Sequence, residues 1–346
     1  MPKSAGRAIL LTGGGTGGHL AIVRAVAEAL RERGVRPLYV GSRSGQDRAW
    51  FEKEKGFEAT LFLPTRGVVN RRGVAKIAAL GATLKATLAA RRFMKDHGVG
   101  AVLSVGGFSA APASFAALTM GTPLFIHEQN AVVGRLNRLL ASHAHTFFSS
   151  YGPSPTPYPV RRLFFDLARD RTRLRRVIFL GGSQGATAIN DFALDVAPSL
   201  ADRGVAISHQ TGDRDFERVV DAYAERGIEA DVFPFSPMLH EKIAAADLAV
   251  SRGGASTLWE LVANRLPTLF VPYPYAAGDH QYFNAKFLAD KGAGWVVRQK
   301  DLSVDIFESI AQSERIAEVG RHLVGLASPD GAERIAKALL ETVVFG

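Results

Sequence analysis

The chain has 346 residues, 47% hydrophobic and 22% charged, the profile of a soluble globular protein with room for two domains, each with its own core. It contains no cysteine, which excludes a disulfide framework, a thiolate metal site and a cysteine nucleophile. A formal net charge of +9 suits an anionic partner, whether nucleic acid, acidic lipid or a phosphate-bearing substrate. No motif with interleaved aromatics marks a nucleic-acid surface.

The apolar core before the first glycines is too short for a signal peptide. Ile9, Leu10 and Leu11 read as a short buried parallel strand. Five glycines follow between Gly13 and Gly18, broken by Thr16, and then His19. From Leu20 the spacing becomes helical, with Val23, Val26, Ala27 and Leu30 on one face. Strand, glycine loop and helix present backbone N–H groups and a positive helix end to an anion. Gly13, Gly15 and Gly18 also satisfy the dinucleotide fingerprint, which wants an acidic residue at the end of the second strand. That strand, Pro37–Ser42, ends without one, and Asp47 comes late, so a nicotinamide site is disfavoured.

Further strands are predicted at Leu38–Gly41, Ala59–Leu63, Ala101–Val105, Leu124–His127 and Thr146–Ser149. Between them, Arg66 to Lys95 holds eight basic residues and no acidic one. There Val74, Ile77, Gly81, Leu84 and Leu88 recur at helical spacing. Two readings stand: a helix packing that face on its own sheet, and a patch seated on anionic lipid headgroups. The uncharged run Gly98 to Ile126 is long enough to span a bilayer, but its glycines and prolines read as strand, turn, short helix and strand. Four prolines between Tyr151 and Val160 predict a stiff linker.

After the linker the pattern restarts, with strands expected at Val177–Leu180, Ala206–His209, Ala230–Phe233, Leu248–Val250, Thr268–Val271 and Gly294–Val297. Arg176–Ala193 repeats the opening logic, with Gly181, Gly182 and Gly185 between strand and helix. Alternation of this kind predicts an α/β chain of two Rossmann-like parallel sheets, with ligands beyond the carboxyl ends of the strands. Gly331–Val343 is helical in pattern. Thr257 and Glu260 have capping-box spacing, which would spend Glu260 on its own helix start. Asp213-Arg-Asp215 has the pattern of a metal-binding sugar transferase, but its context in the second half is wrong for that fold, and no metal is expected.

Several segments in this order resemble one family. Thr12–His19, Val105–Ala110, Phe125–Leu140, Leu180–Ala186, Ser251–Leu261 and Gly278–Trp295 are similar to the glycine loops, the His-Glu-Gln-Asn segment and the donor segments of the MurG family of bacterial glycosyltransferases. The resemblance implies the GT-B fold, two Rossmann-like domains facing a central cleft. It places an acceptor- and membrane-facing domain at residues 1–160, with a C-terminal helix at 328–346 packing back on it. Residues 161–327 then bind the donor. It implies transfer of N-acetylglucosamine from UDP-N-acetylglucosamine to the 4-hydroxyl of the muramyl group of undecaprenyl-pyrophosphoryl-MurNAc-pentapeptide, with inversion and without a cofactor. It also implies a peripheral location on the cytoplasmic face of the cell membrane, with cell-wall and division machinery as partners. Three positions depart from the family pattern: Ile22, Tyr158 and His280.

Carried over residue by residue, the resemblance assigns donor contacts to Thr16, Gly17, Gly18, Asn130, Arg161, Ser183, Phe235, Ser236, Ala255, Ser256, Thr257, Glu260 and Gln281. Glu260 would hold the ribose hydroxyls and Gln281 the sugar. Acceptor contacts fall to Gly14, Gly15, Gly106, Gly107, Phe108 and Ser109. Direct displacement needs a base for the acceptor proton and help for the departing diphosphate. His19, whose imidazole titrates near neutral pH, is the expected base. Glu128 is the second candidate, although beside His127 it could form a structural pair. Other readings are another lipid-directed GT-B transferase, a UDP-N-acetylglucosamine epimerase and a non-catalytic nucleotide binder.

Overall fold

The computed structural model describes residues 7–65, 74–152, 154–182 and 185–345. The chain forms two compact units, one of Met1–Pro159 with Asp330–Gly346 and one of Val160–Pro329.

The first unit runs β1 (Ala8–Thr12), α1 (Gly17–Glu32), β2 (Leu38–Ser42), α2 (Asp47–Phe51), β3 (Thr60–Leu63), α3 (Val74–Asp96), β4 (Val99–Ser104), α4 (Ala111–Met120), β5 (Leu124–Glu128), α5 (Arg135–Leu140) and β6 (Thr146–Ser149). The second runs α6 (Arg162–Asp166), β7 (Arg176–Leu180), α7 (Thr187–Asp202), β8 (Ala206–Gln210), α8 (Phe216–Glu225), β9 (Asp231–Phe233), α9 (Leu239–Ala245), β10 (Leu248–Ser251), α10 (Ala255–Ala263), β11 (Thr268–Phe270), α11 (His280–Ala289), β12 (Trp295–Val296), α12 (Val304–Ile310) and α13 (Ser313–Leu323). The last helix, α14 (Gly331–Phe345), belongs to the first unit. Every apolar run named above becomes a strand, shifted by at most a few residues at its ends.

Both sheets are parallel and share one order, β3-β2-β1-β4-β5-β6 and β12-β11-β10-β7-β8-β9. The order reverses beside β1 and beside β7, so each first glycine loop lies at a topological switch point. The strands are buried on both faces, as parallel strands under helices must be. In the first unit Leu10, Val40, Val102 and Ile126 pack under α3 and α4. In the second Phe179, Ile207, Val250 and Leu269 pack with Ile189, Val196 and Phe307. Helix α14 lies along α1, where Arg33 bonds Glu333, and Gly331 sits where a Cβ would strike the carbonyls of Pro157 and Tyr158.

Two sequence readings need correction. The stretch before Val160 is not a free linker: Tyr158 and Val160 are buried, and the chain is tied to β6 through Thr156 N–H to the Ser149 carbonyl at 2.8 Å. Helix α3 does not bury its leucines. Ala86, Ala90 and Met94 face the sheet, because small side chains let α3 sit close to α4. Leu80, Leu84 and Leu88 are instead 54%, 62% and 57% exposed. Arg66, Arg71 and Arg72 lie outside the described residues, as do the side chains of Val74, Lys76 and Ile77.

Candidate functional site

In the first unit the two glycine loops touch backbone to backbone. A Cβ on Gly13 would meet Val105 and the Gly106 carbonyl, and one on Gly107 would lie 2.4 Å from the Gly14 carbonyl. Gly15, at φ +85°, turns the chain where a Cβ would strike the Phe108 ring. Gly14, Gly15, Gly106, Gly107 and Phe108 are therefore brought together. Their donors are not all turned outward, however. Gly14 N–H donates to the Gly106 carbonyl at 3.4 Å, and Gly15 N–H to Asp47 Oδ2 at 2.6 Å. Ser109 is fully buried in a short 3₁₀ turn after Gly107, so its hydroxyl faces the interior.

What remains open to an anion is the start of α1, whose first N–H groups have no intrahelical carbonyl. Thr16 is its N-cap in extended conformation, but the Thr16 side chain makes no cap bond. Thr16 Oγ1 lies 2.9 Å from His19 Nδ1. The other ring nitrogen of His19, Nε2, is 2.8 Å from the side-chain amide of Gln129. Gln129 sits just beyond the carboxyl end of β5, in the segment that also carries His127, Glu128 and Asn130. The sequence reading assigned Gln129 nothing; its place right after a strand end, facing the first loop, was the only signal.

Glu128 does not pair with His127, because neighbouring strand residues point to opposite faces of the sheet. Its carboxylate is wrapped by the following loop. Oε1 accepts from Asn130 N–H at 2.9 Å, and Oε2 from Gly134 N–H at 2.8 Å and Asn137 Nδ2 at 2.9 Å. A carboxylate so occupied is a loop organiser and has little lone-pair capacity left for an acceptor proton. His127 is fully buried against the Tyr158 ring, and burial pushes its pKa down to about 3.

In the second unit, the loops after β7 and β10 carry the corresponding helix starts. Gly185, at φ +74°, sits where a Cβ would lie 2.4 Å from the Thr211 carbonyl; Ser183 lies outside the described residues. After β10, Gly254 is the N-cap of α10, so Ala255, Ser256 and Thr257 occupy its first turn. The capping box is therefore absent: Thr257 is already helical and Glu260 is mid-helix. Glu260 is instead within 3.5 Å of Ser256 Oγ, one turn earlier. Burial raises its pKa to about 7, against the pull of Ser256 and the Arg161 charge.

Gln281 approaches this helix start through the backbone. A Cβ on Gly253 would stand 2.3 Å from the Gln281 carbonyl, and Asn284 Nδ2 donates to the Gly253 carbonyl at 3.2 Å. Gln281 Oε1 accepts from Tyr273 N–H at 3.0 Å, which leaves its NH2 group to present. Arg252, also unassigned from sequence, ties this region together by donating to the Val271 and Pro272 carbonyls and to Gln299 Oε1. Phe235 is 60% exposed beside the largely buried Ser236, whose Oγ caps Met238 N–H. Asp215 is held by Arg218 and Asn190, and among the described residues no group of three acidic or histidine side chains is placed to hold a metal.

Two family models match the chain: the N-terminal domain of glycosyltransferase family 28 over residues 9–149 and its C-terminal domain over residues 176–319. The chain is 52% identical over 334 residues to the UDP-N-acetylglucosamine--N-acetylmuramyl-(pentapeptide) pyrophosphoryl-undecaprenol N-acetylglucosamine transferase of Wolinella succinogenes, covering 96% of this chain and 99% of that one. It is 49% identical to a Campylobacter jejuni protein of the same name, over 97% of this chain and 99% of that one. Among solved structures, Acinetobacter baumannii MurG superposes with a TM-score of 0.77 at 28% identity, covering 97% of this chain and 99% of the other.

Proposed function

The chain belongs to glycosyltransferase family 28, and we propose that it moves N-acetylglucosamine from UDP-N-acetylglucosamine to the 4-hydroxyl of the muramyl group of undecaprenyl-pyrophosphoryl-MurNAc-pentapeptide. The observation that carries this reading is the convergence of the helix start of α1, His19 and the paired glycine loops in one unit, with a second helix start beside Glu260 and Gln281 in the other. The nucleotide belongs to the second unit, with Glu260 accepting from the ribose diol and the Gln281 NH2 group donating to the sugar. Ser256 and Thr257 bring the first N–H groups of α10 to the diphosphate.

The acceptor belongs to the first unit. Its hydroxyl gives its proton to His19 Nε2 as the oxygen bonds the anomeric carbon from the face opposite the diphosphate. The bond from that carbon to the β-phosphate oxygen breaks, and its electron pair leaves with UDP. No covalent enzyme intermediate is needed, and the anomeric centre inverts. Charge growing on the diphosphate is met by helix N-termini. Glu128, wrapped by its own loop, shapes the segment that carries Gln129 and Asn130.

Helix α3 fits a peripheral seat on an anionic bilayer. Leu80, Leu84 and Leu88 form an exposed stripe, and Arg91 and Lys95 continue that face. Apolar insertion next to basic headgroup contacts is the pattern of interfacial helices. No described helix is long and apolar enough to cross a membrane.

Product analysis with UDP-N-acetylglucosamine and a short-chain analogue of the acceptor tests the activity. His19→Ala should lose roughly 10²–10⁴-fold in kcat, the range for a general base, with UDP affinity little changed. A rise in acceptor KM alone would make His19 a binding residue.

A further inference from the structure

The base reading of His19 leaves a question of proton inventory that the structure answers. Both ring nitrogens are occupied: Nδ1 by Thr16 Oγ1 at 2.9 Å and Nε2 by the Gln129 side-chain NH2 at 2.8 Å. An amide NH2 can only donate, so Nε2 must carry a lone pair. The ring is then neutral, with its proton on Nδ1 donated to the threonine oxygen. Gln129 is itself 8% exposed and follows β5 directly, so it is poorly placed to swing away into solvent.

We propose that Gln129 is a positioning residue for transfer: it holds His19 in the neutral, Nδ1-protonated form with Nε2 as the basic atom. This rests on the reading of His19 as the base. The physical reason is one of sign. A donor facing Nε2 stabilises the unprotonated ring and repels the N–H of the imidazolium, which lowers the affinity of His19 for a proton. When the acceptor hydroxyl arrives it takes the place of the amide at Nε2. The displaced NH2 is then beside the acceptor oxygen, where it disfavours any other orientation of the hydroxyl. Thr16 completes the clamp from the helix itself, so the ring is fixed from α1 and from the end of β5.

The charged neighbours are the same with or without the amide. His127 on β5 is neutral in its buried seat, and its own proton affinity is lowered first by burial and then by the charge of His19. Glu128 is bonded into the loop that follows it, and Asp47 of α2 is bonded to Gly15, Ser42 and Tyr39. Farther along α1, Arg24 lies over the Trp50 ring. A change at residue 129 therefore reports on the amide and not on a rearranged field.

The experiment titrates His19 by NMR in the intact, substrate-free chain, with Gln129→Leu and Gln129→Glu beside the parent, and follows the pH dependence of kcat in the same proteins. Leucine removes the donor, so the pKa of His19 should rise by about 1 unit, and the acid limb of kcat should move up with it. Glutamate, which stabilises the imidazolium, should raise both further, and two different replacements guard against one failing to fold. An unmoved or lowered His19 pKa in both variants overturns the proposal. A merely structural role for Gln129 would lower kcat at every pH without moving the limb, which also overturns it. If His19→Ala keeps its kcat, the base reading fails, while the titration still decides whether the clamp exists.

Discussion

Gly15 donates its backbone N–H to the buried carboxylate of Asp47, and the same carboxylate takes Ser42 N–H at 2.9 Å and the Tyr39 hydroxyl at 3.1 Å. One acid thus pins the first glycine loop to the second strand from behind. In a dinucleotide site an acid at this end of the sheet would reach forward to a ribose; here it is spent inside the protein. The donors left for an anion begin at Thr16, beside His19.

Asp47→Ala should cost about 2–4 kcal/mol of stability, because three buried donors lose their acceptor at once. Denaturant unfolding measures this. Tyr39, whose hydroxyl is pushed upward in pKa by burial and by Asp47, should then ionise at lower pH, which ultraviolet titration reads. A variant as stable as the parent would mean that the loop finds other partners.

Glu260 should make UDP binding depend on pH. In the free chain burial holds its pKa near 7, whereas a ribose diol donating to it favours the carboxylate. Binding should therefore release a proton around pH 6–7 and weaken as pH falls below about 7, a trend that calorimetry in buffers of different ionisation enthalpy would detect. Glu260→Gln should bind UDP more weakly at pH 8 and lose the pH dependence. The sign for folding is opposite: with a folded pKa above the ordinary 4.5, this group favours the native state at low pH, and that contribution fades as pH rises through about 7.

Acid should unfold the chain partly through two histidines. Burial lowers His127 and His209 from 6.5 to about 3 in the folded state. His209 is bonded to Tyr223 and Asn190 in the second core, and neither ring nitrogen of His127 has a hydrogen-bond partner among the described residues. Their stabilising contribution is complete above about pH 6.5 and is lost as pH falls toward about 3. Thermal midpoints measured across that window should fall, and His209→Asn should flatten the slope while lowering stability at neutral pH.

Leu84→Ser and Leu88→Ser should leave folding unchanged, since both side chains are exposed, and weaken binding to anionic vesicles. Burying one leucine in an apolar phase contributes about 1.5–3 kcal/mol, so each change should cost roughly tenfold or more in partition. Co-sedimentation should also weaken with salt, through Arg91 and Lys95. Binding that ignores both the leucines and salt would remove α3 as the seat.

Much of this protein could be read from one dimension. Local hydrophobic runs between glycines specify parallel strands, because such strands are buried on both faces and tolerate no polar alternation; all twelve were legible for that reason. The glycine loops were legible because a helix start that must admit a close anion excludes side chains. Contacts that depend on the partner of a side chain were not legible. Nothing in the spacing of α3 says that alanines, not leucines, face α4, since both sets recur with helical period and only packing distance chooses between them. Glu260 fits a capping box by spacing, and only the observed start of α10 at Ala255 removes that role. Glu128 looked like a base beside a histidine until the fold wrapped it in Asn130, Gly134 and Asn137. Gln129 carried no signal of its own. It lies 110 positions from His19, and only the parallel order that sets β5 next to β4 and β1 brings its amide to the imidazole.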